Sequence, residues 1–425
     1  MRSRSSLTLT FALLSIALAA VANAADTKVV SPESVGLSSD RLSRLTRNLE
    51  TEVQQKHKAG IVALIARNGQ TAYLQAVGTA DLASGRKMQT DNYFRLYSMT
   101  KPITSVALLM LYEEGKFQLD DPLDKYLPAF ANMKVYLGEE GGKKQLADAK
   151  RKITVHDIFR HTAGFSYGQG PAPVEEMYRQ AGLNLDTLNS LQELTDKLAM
   201  MPLLYQPGER WVYSLSHDVQ ARLVEVLSGM KFNEFVLTRI TGPLGLKDTF
   251  FGMPADRAAR FANTYGPDNR GGLKLIDSYE KGSDVPVSNY KRYTDKPFGG
   301  HSLSATVSDY ARFAQMLVNG GELQGVRILG RKTVELMTTD HLPPGVFGPG
   351  PGMGYGLGVW VLTSPAQSGN LGSAGQFGWS GAASTHVVMD PKENLVAVLG
   401  TQYMPIDFAF LERFETLTYQ ALTGK

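Results

Sequence analysis

Short apolar runs typical of strands lie near both ends of the chain, and the segment between them has the pattern of helices and loops. Residues 61–66 are continuously apolar, end at Asn68-Gly69 and are followed by residues 72–77, which predicts two strands joined by a turn. Beyond residue 353, four more strand-like segments are separated by Gly, Pro or Asn: residues 355–362, 376–379, 384–389 and 395–401. This distribution predicts an α/β (α+β) fold, in which helices flank one antiparallel sheet built from both chain termini and a mainly helical domain is inserted into it.

Helical spacing of apolar residues sets the expected domain limits. A helix is predicted from Asp40 to about His57, capped by Ser38 or Ser39, and another from Ile103 to Glu114, stopped by Gly115. Further helices are predicted at residues 155–161, 188–200, 217–228 and 408–422. Residues 138–152, rich in Gly, Lys, Glu and Asp, predict an exposed loop. We expect residues 25–97 and 311–425 to form the sheet domain and residues 98–310 the helical domain, with the functional site between them.

The first 24 residues have the pattern of a signal peptide. Arg2 and Arg4 precede an uncharged run over residues 7–22, and Ala22-Asn23-Ala24 supplies small residues for cleavage. The run is shorter than the ~20 residues of a spanning helix. We therefore expect an exported protein, periplasmic or secreted, with no membrane span after signal removal.

Composition excludes several kinds of chemistry. Lys and Arg number 44 against 41 Asp and Glu, a net charge of +3 without the dense basic face that nucleic-acid binding needs. The chain has no cysteine, which excludes disulfides, a thiol nucleophile and zinc–thiolate sites. His301 and His386 are candidates for the cleft, but the seven histidines show no paired spacing. We expect neither a metal nor a cofactor.

Two serines compete as the nucleophile, and Ser166 is the weaker candidate. Gly164-Phe165-Ser166-Tyr167-Gly168 matches the Gly-x-Ser-x-Gly elbow of α/β-hydrolases. That elbow works only as a sharp turn from a strand into a helix. Here a predicted helix comes before it, and a Gly- and Pro-rich stretch over residues 169–173 follows it.

Ser98 lies at the start of a strongly predicted helix, in Ser98-Met99-Thr100-Lys101. Residues three apart share a helical face, so the Lys101 amine can sit beside the Ser98 hydroxyl. A partly desolvated lysine at a positive helix N-terminus can accept the serine proton. Pro102 is tolerated only in a first turn, which supports this placement. On this pattern alone, Ser98 could equally be a helix cap and Lys101 a solvated residue.

Two later segments complete a recognisable order of motifs. Tyr213-Ser214 falls within residues 211–218, in a loop that enters a helix, and Trp379-Ser380-Gly381 lies on a late strand. Ser-x-x-Lys, then Tyr-Ser, then Trp-Ser-Gly resembles the serine β-lactamase/penicillin-binding-protein superfamily. Within it the chain is most similar to the class C branch and its family VIII carboxylesterases. Supporting matches lie at residues 120–123, 154–164 and 206–208, and the similarity spans roughly residues 30–420.

The resemblance implies a role for each matching residue. Ser98 would be the acylated nucleophile, Lys101 its proton partner and Tyr213 a proton shuttle whose anion the lysine favours. Either Lys101 or Tyr213 could be the base. The backbone N–H groups of Ser98 and Ala382 would form the oxyanion hole. The substrate-binding positions would be Trp379, Ser380, Gly381 and Leu215.

Two departures from the class C pattern bear on the substrate. Leu215 stands where those enzymes carry an asparagine that holds a β-lactam side chain, and Trp379 replaces the lysine that meets a substrate carboxylate. Trp offers an apolar wall with one N–H donor. A site with these changes should favour neutral acyl esters over carboxylate-bearing β-lactams.

The sequence therefore predicts a metal-free, cofactor-free serine carboxylesterase that forms an acyl-enzyme on small neutral esters. The same machinery would suit a β-lactamase, a DD-peptidase or other amide hydrolase, or an acyltransferase. A catalytically silent cell-wall-binding module is the alternative of another class. The expected partner is a small-molecule ester or amide.

Overall fold

The computed structural model describes residues 28–278 and 288–423. The predicted signal peptide, residues 1–24, lies outside them. Within the described residues, no helix combines the length and the apolar character needed to cross a bilayer.

The described residues form both helices and strands. The helices are α1 Ser39–Gln54, α2 Thr100–Glu113, α3 Val155–Phe159, α4 Pro173–Gln180, α5 Leu191–Ala199, α6 Ser216–Ser228, α7 Phe232–Val236, α8 Val307–Val318, α9 Arg331–Met337, α10 Pro365–Ser368 and α11 Phe408–Tyr419. The strands are β1 Gly60–Arg67, β2 Gln70–Asp81, β3 Arg86–Lys87, β4 Phe94–Arg95, β5 Lys134–Glu140, β6 Lys143–Asp148, β7 Thr249–Phe251, β8 Thr264–Pro267, β9 Leu273–Asp277, β10 Leu303–Ala305, β11 Glu322–Leu323, β12 Val326–Arg327, β13 Met353–Tyr355, β14 Trp360–Leu362, β15 Phe377–Ser380, β16 His386–Asp390 and β17 Leu395–Thr401.

The main sheet joins the two ends of the chain. Its strand order is β13-β14-β15-β16-β17-β1-β2-β3, and every pair in it is antiparallel. The first strand pairs with the last, from Ile61 opposite Thr401 to Arg67 opposite Leu395. The predicted sheet built from both termini is therefore confirmed.

Strand β1 is buried on both faces, which explains its continuous apolar run. Ile61 and Ile65 face a core shared with α1 and α11, to which Leu45 and Phe414 belong. Val62 and Leu64 face the larger core instead, which includes Val307 of α8 and reaches the helical part of the chain. Alternate side chains of β1 thus pack against helices on opposite faces of the sheet, α1 and α11 on one face and α8 on the other.

Helix α2 runs through the larger hydrophobic core. Every residue from Thr100 to Leu111 is buried, so the helix has no solvated face over that length. It packs against α6. Pro102 occupies its first turn, where the missing N–H has no intrahelical partner to lose.

Two sequence expectations about local structure are wrong. Residues 138–152 contain a hairpin, β5 with β6, rather than only a loop. Gly141 and Gly142 both have positive φ, as a two-residue hairpin turn requires, and charged side chains face solvent on both sides of the ribbon. The predicted strand over residues 355–362 is split into β13 and β14, because the chain reverses at Gly358, whose φ is 93°.

Candidate active site

Ser98 sits in a 3-10 turn, Tyr97–Met99, that runs directly into α2. Tyr97 has a φ of 46°, a left-handed conformation that costs energy for a residue with a Cβ. Its backbone N–H donates to the Tyr290 hydroxyl at 3.3 Å. Ser98 is half-buried whereas its neighbours Met99 and Thr100 are buried. The strained turn therefore presents the hydroxyl of Ser98 at the start of the buried helix.

Lys101 and Tyr213 both reach the Ser98 hydroxyl. The Lys101 Nζ donates to Ser98 Oγ at 3.3 Å, from one turn further along the chain. The Tyr213 hydroxyl donates to the same oxygen at 2.6 Å, although 115 residues separate the two positions. Lys101 Nζ lies 4.6 Å from the centroid of the Tyr213 ring. The structure thus brings together the three residues that the motifs single out.

The Lys101 amine is buried and is held by neutral groups. The residue has no exposed surface. Nζ donates to the Gly300 carbonyl at 2.8 Å and lies 5.5 Å from the centroid of the Tyr167 ring. A carbonyl oxygen and aromatic faces stabilise a cation without adding a formal charge.

Burial shifts the pKa values of the titratable groups around Lys101 toward their neutral forms. Burial, aided by the charge of Lys101, lowers the pKa of His161 and His217 well below the usual histidine value, and that of His301 to about 3. Burial raises the pKa of the Asp218 carboxyl to about 6, against the opposing effect of Lys101. A buried setting strengthens the electrostatic interactions that Lys101 makes, including the one with the Asp218 carboxyl.

Aromatic rings form a wall beside Tyr213. The centroid of its ring lies 5.6 Å from that of Trp379 and 5.3 Å from that of Tyr167. Trp379 in turn contacts Tyr355 at 5.4 Å and is only 8% exposed. Trp379 therefore places an apolar ring next to Tyr213, with no positive charge.

Leu215, the fourth expected substrate-binding position, does not face the cleft. It has no exposed surface and belongs to the larger hydrophobic core, where it precedes α6. As a substrate-lining residue it is a wrong prediction, because the turn that aims Tyr213 at Ser98 directs the Leu215 side chain inward.

The end of strand β15 lies close to the Ser98 turn. A Cβ at Gly381 would be 2.3 Å from the Leu96 carbonyl oxygen and 2.2 Å from Thr385 Oγ1, so only glycine permits this approach. Ser380 is half-buried, and Ala382 is exposed in the turn that follows.

Ser166 has a structural role. Its residue is 3% exposed, its hydroxyl donates to the Glu175 carboxylate, and its oxygen accepts the Gly168 N–H at 3.0 Å. No helix begins there, since α4 starts only at Pro173. The strand–turn–helix geometry of a nucleophile elbow is absent from this described segment.

A cavity of about 200 Å³ opens beside the Ser98 turn. Its described lining is aromatic, polar and acidic: Tyr97, Asp186, Asp277, Ser288, Asn289, Tyr290 and Tyr293. Within residues 28–278 and 288–423, no cluster of His, Cys, Asp or Glu has the arrangement of a metal site.

Sequence reasoning missed the groups that surround Lys101. Tyr167 belongs to the Ser166 motif, yet it is Tyr167 that reaches the site. His217 and Asp218 end the Tyr-Ser segment, residues 211–218, but the sequence analysis gave them no role. The available signal was the predicted helix that begins at His217. Polar residues that are buried at the start of a helix need polar partners.

The Ser98 hydroxyl is hydrogen-bonded to a buried lysine and to a tyrosine. It lies at the start of a buried helix beside an antiparallel sheet. This arrangement is that of a β-lactamase-fold serine hydrolase. The Beta-lactamase family profile matches residues 45–419, and the chain belongs to that family.

Individual proteins are similar to most of the chain. The Mycobacterium tuberculosis protein Rv1367c is 32% identical over 366 residues, which cover 82% of this chain and 86% of that protein. Esterase EstB of Burkholderia gladioli is 29% identical over 352 residues, covering 80% and 84%. The solved structure of EstCE1, described as a hydrolase with promiscuous acyltransferase activity, superposes with a TM-score of 0.75 at 24% identity, covering 89% of this chain and 99% of that one. The last of these supports the fold alone.

Proposed function

We propose that this protein is a serine carboxylesterase that cleaves small neutral acyl esters through an acyl-enzyme. The observation that carries the proposal is the pair of contacts on Ser98 Oγ, from Tyr213 at 2.6 Å and Lys101 at 3.3 Å. A nucleophilic hydroxyl within reach of two proton-transfer groups is the arrangement that covalent catalysis requires.

In the acylation step, Ser98 Oγ attacks the ester carbonyl and passes its proton to whichever of Lys101 and Tyr213 is in its deprotonated form. The tetrahedral intermediate collapses, the C–O bond to the alcohol breaks, and the alcohol leaves with that proton. In deacylation, water gives up a proton to the same pair and attacks the acyl carbon. The acid leaves and Ser98 recovers its proton.

The oxyanion of each intermediate needs donors opposite the nucleophile. We assign this role to the backbone N–H groups of Ser98 and Ala382. The close approach that Gly381 allows supports the assignment, because it holds the end of β15 against the Ser98 turn.

The preference for neutral esters rests on Trp379. An apolar ring there gives no positive charge to a substrate carboxylate, and burying an unpaired carboxylate beside it costs free energy. The similarity to a named esterase supports an ester as the substrate. We also propose that the enzyme acts outside the cytoplasm, on the basis of the signal-peptide pattern in residues 1–24.

Covalent labelling tests the proposal. A fluorophosphonate probe should label the wild type and Ser166→Ala, but not Ser98→Ala. Ser98→Ala and Lys101→Ala should each abolish p-nitrophenyl butyrate turnover, and the double variant should be no worse than either single variant. Full activity in Ser98→Ala refutes the assignment. Absence of labelling in the wild type favours the silent binding module, and a preference for nitrocefin over the ester favours a β-lactamase.

A further inference from the structure

A buried carboxyl lies behind the Lys101 amine, at the start of α6. Asp218 has no exposed surface and occupies the first turn of that helix, shortly after Tyr213 in the chain. Its Oδ1 accepts the backbone N–H of Gly300 at 2.9 Å, and the carbonyl of the same glycine accepts Lys101 Nζ at 2.8 Å. Gly300 therefore joins the carboxyl of Asp218 to the amine of Lys101.

Gly299 and Gly300 are held between α2 and α6. Thr104 Oγ1 of α2 donates to the Gly299 carbonyl at 2.7 Å. A Cβ on Gly299 would lie 2.3 Å from the His217 carbonyl oxygen, so glycine alone fits there without a shift of the backbone. A Cβ on Gly300 would lie 2.8 Å from Asp218 Oδ2. The two helices thus fix the position of this pair of glycines from both sides.

Asp218 and Lys101 are groups of opposite charge in a buried region. Burial raises the pKa of the Asp218 carboxyl to about 6, while the charge of Lys101 and the N–H groups of Gly300 and Gly299 oppose the rise. Above that pH the carboxyl is ionised, although its Oδ2 has no hydrogen-bond partner among the described residues. A buried carboxylate needs a positive partner, because an uncompensated charge in the interior is strongly destabilising. Lys101 supplies that charge, and the attraction stabilises the lysine cation in return.

The other titratable groups near this pair stay neutral above pH 6. Burial, aided by the charge of Lys101, lowers the pKa of three histidines below their usual range: His161, His217 and His301. Burial, with smaller effects of Tyr213 and Asp218, raises the pKa of Tyr167 well above its usual value. Asp218 therefore changes its charge in a pH range where these four groups do not.

We propose that Asp218 is a positioning residue that holds the Lys101 amine in place through Gly300 and stabilises its positive charge. The inference rests on the proposed function, since it assigns Lys101 to the proton transfers at Ser98. Two separate effects follow from it. The acceptor oxygen of Asp218 fixes where the amine lies, and the charge of Asp218 sets how readily the amine gives up its proton.

Asp218→Asn tests the charge, because the amide keeps an acceptor oxygen for the Gly300 N–H and cannot ionise. The readout is the pH profile of kcat/KM for p-nitrophenyl butyrate, with the Ser98→Ala rate at each pH as background. If Lys101 is the base, the acid limb should move to lower pH by about 1 unit. If Lys101 must stay protonated beside a Tyr213 base, the alkaline limb should move by the same amount instead. Either shift follows from a less stable Lys101 cation.

Asp218→Ala tests the positioning, because it removes the acceptor oxygen as well as the charge. Gly300 and the amine that it holds are then free to shift, and a displacement of about 1 Å in a catalytic group can cost ~10²-fold in rate. We expect kcat at the optimum of each variant to be about 10–100-fold lower for Asp218→Ala than for Asp218→Asn, with little change in KM. Asp309→Asn is the matched control, a buried carboxyl on α8 whose loss should leave the pH profile of activity unmoved.

The outcomes separate this inference from the proposed function. A folded Asp218→Asn protein in which neither limb moves overturns the stabilisation of the Lys101 charge. Equal kcat values in the Asn and Ala variants overturn the positioning, and the Asn profile decides if Asp218→Ala fails to fold. The rate of fluorophosphonate labelling of Ser98 against pH gives the same comparison without an ester. A shifted labelling profile without ester turnover supports the role of Asp218 and overturns the esterase alone.

Discussion

The Tyr213 side chain contributes one polar atom to the site, and that atom is the nearest proton-transfer partner of Ser98. Tyr213→Phe removes only the hydroxyl and keeps the ring contacts with Trp379 and Tyr167. We expect kcat for p-nitrophenyl butyrate to fall by about 10²–10⁴, the usual contribution of general acid–base catalysis. Steady-state kinetics with a thermal melt checks this. An unchanged kcat would leave Tyr213 with a packing role only.

Trp379 is the single residue whose replacement should change the charge preference of the site. Trp379→Lys restores a cation that can meet a substrate carboxylate, and a charge-assisted hydrogen bond contributes ~1.5–3 kcal/mol, roughly 10–150-fold. We expect the kcat/KM ratio of nitrocefin to p-nitrophenyl butyrate to rise by a factor in that range. Trp379→Phe is the matched control, because it keeps an aromatic ring and adds no charge. Equal ratios in the Lys and Phe variants would contradict the argument.

At the scale of elements, the site depends on how closely the end of β15 approaches the turn before α2. Gly381→Ala places a methyl group 2.3 Å from the Leu96 carbonyl oxygen, and this backbone contact can be relieved only by moving the strand end or the Ser98 turn. A displacement of about 1 Å in a catalytic group can cost ~10²-fold in rate. We therefore expect kcat/KM to fall by about 10–100-fold.

A second glycine provides the control for Gly381→Ala. A Cβ at Gly350 would meet its nearest neighbour, the Met353 side chain, only at 3.9 Å. Gly350→Ala should therefore retain activity in the same ester assay. Similar activities of the two variants would show that the close approach at Gly381 is not needed.

At the scale of the whole molecule, stability should depend on a buried carboxyl that ties α8 to β7. Asp309 Oδ2 accepts the Asp248 N–H at 2.7 Å and the Thr249 hydroxyl at 3.0 Å, and burial raises the pKa of Asp309 to about 6. A raised native pKa means that the folded state binds the proton more tightly. The contribution of Asp309 to the free energy of unfolding is therefore complete below about pH 4 and is lost as the pH rises through 6. The loss amounts to at most about 3 kcal/mol.

Asp309→Asn removes this dependence, because the amide keeps an acceptor oxygen and cannot ionise. The difference in melting temperature, variant minus wild type, should become more positive between pH 4 and pH 7.5. The exposed Asp196→Asn is the control for a general charge effect, and its difference should not follow this trend. A pH-independent difference for Asp309→Asn would contradict the assignment.

The sequence by itself determined the main sheet and the pairing of Ser98 with Lys101. Continuous apolar runs such as residues 61–66 and 395–401 indicate strands buried on two faces, so their shared sheet follows from the need to bury them. Ser98 and Lys101 are three residues apart, and helical geometry alone brings them together. Local periodicity encodes such features, because they depend on neighbours in the chain.

Only the tertiary structure decided the rest of the site. Tyr213 reaches Ser98 across 115 residues, Leu215 turns into the core, and Tyr167 approaches Lys101 from a motif that indicated another serine. The Lys101–Gly300–Asp218 chain of hydrogen bonds joins two helices through a loop, with no spacing that marks it. Hydrogen bonds and pKa shifts of this kind arise from burial and from the approach of distant segments. Burial and long-range contacts do not exist until the chain has folded.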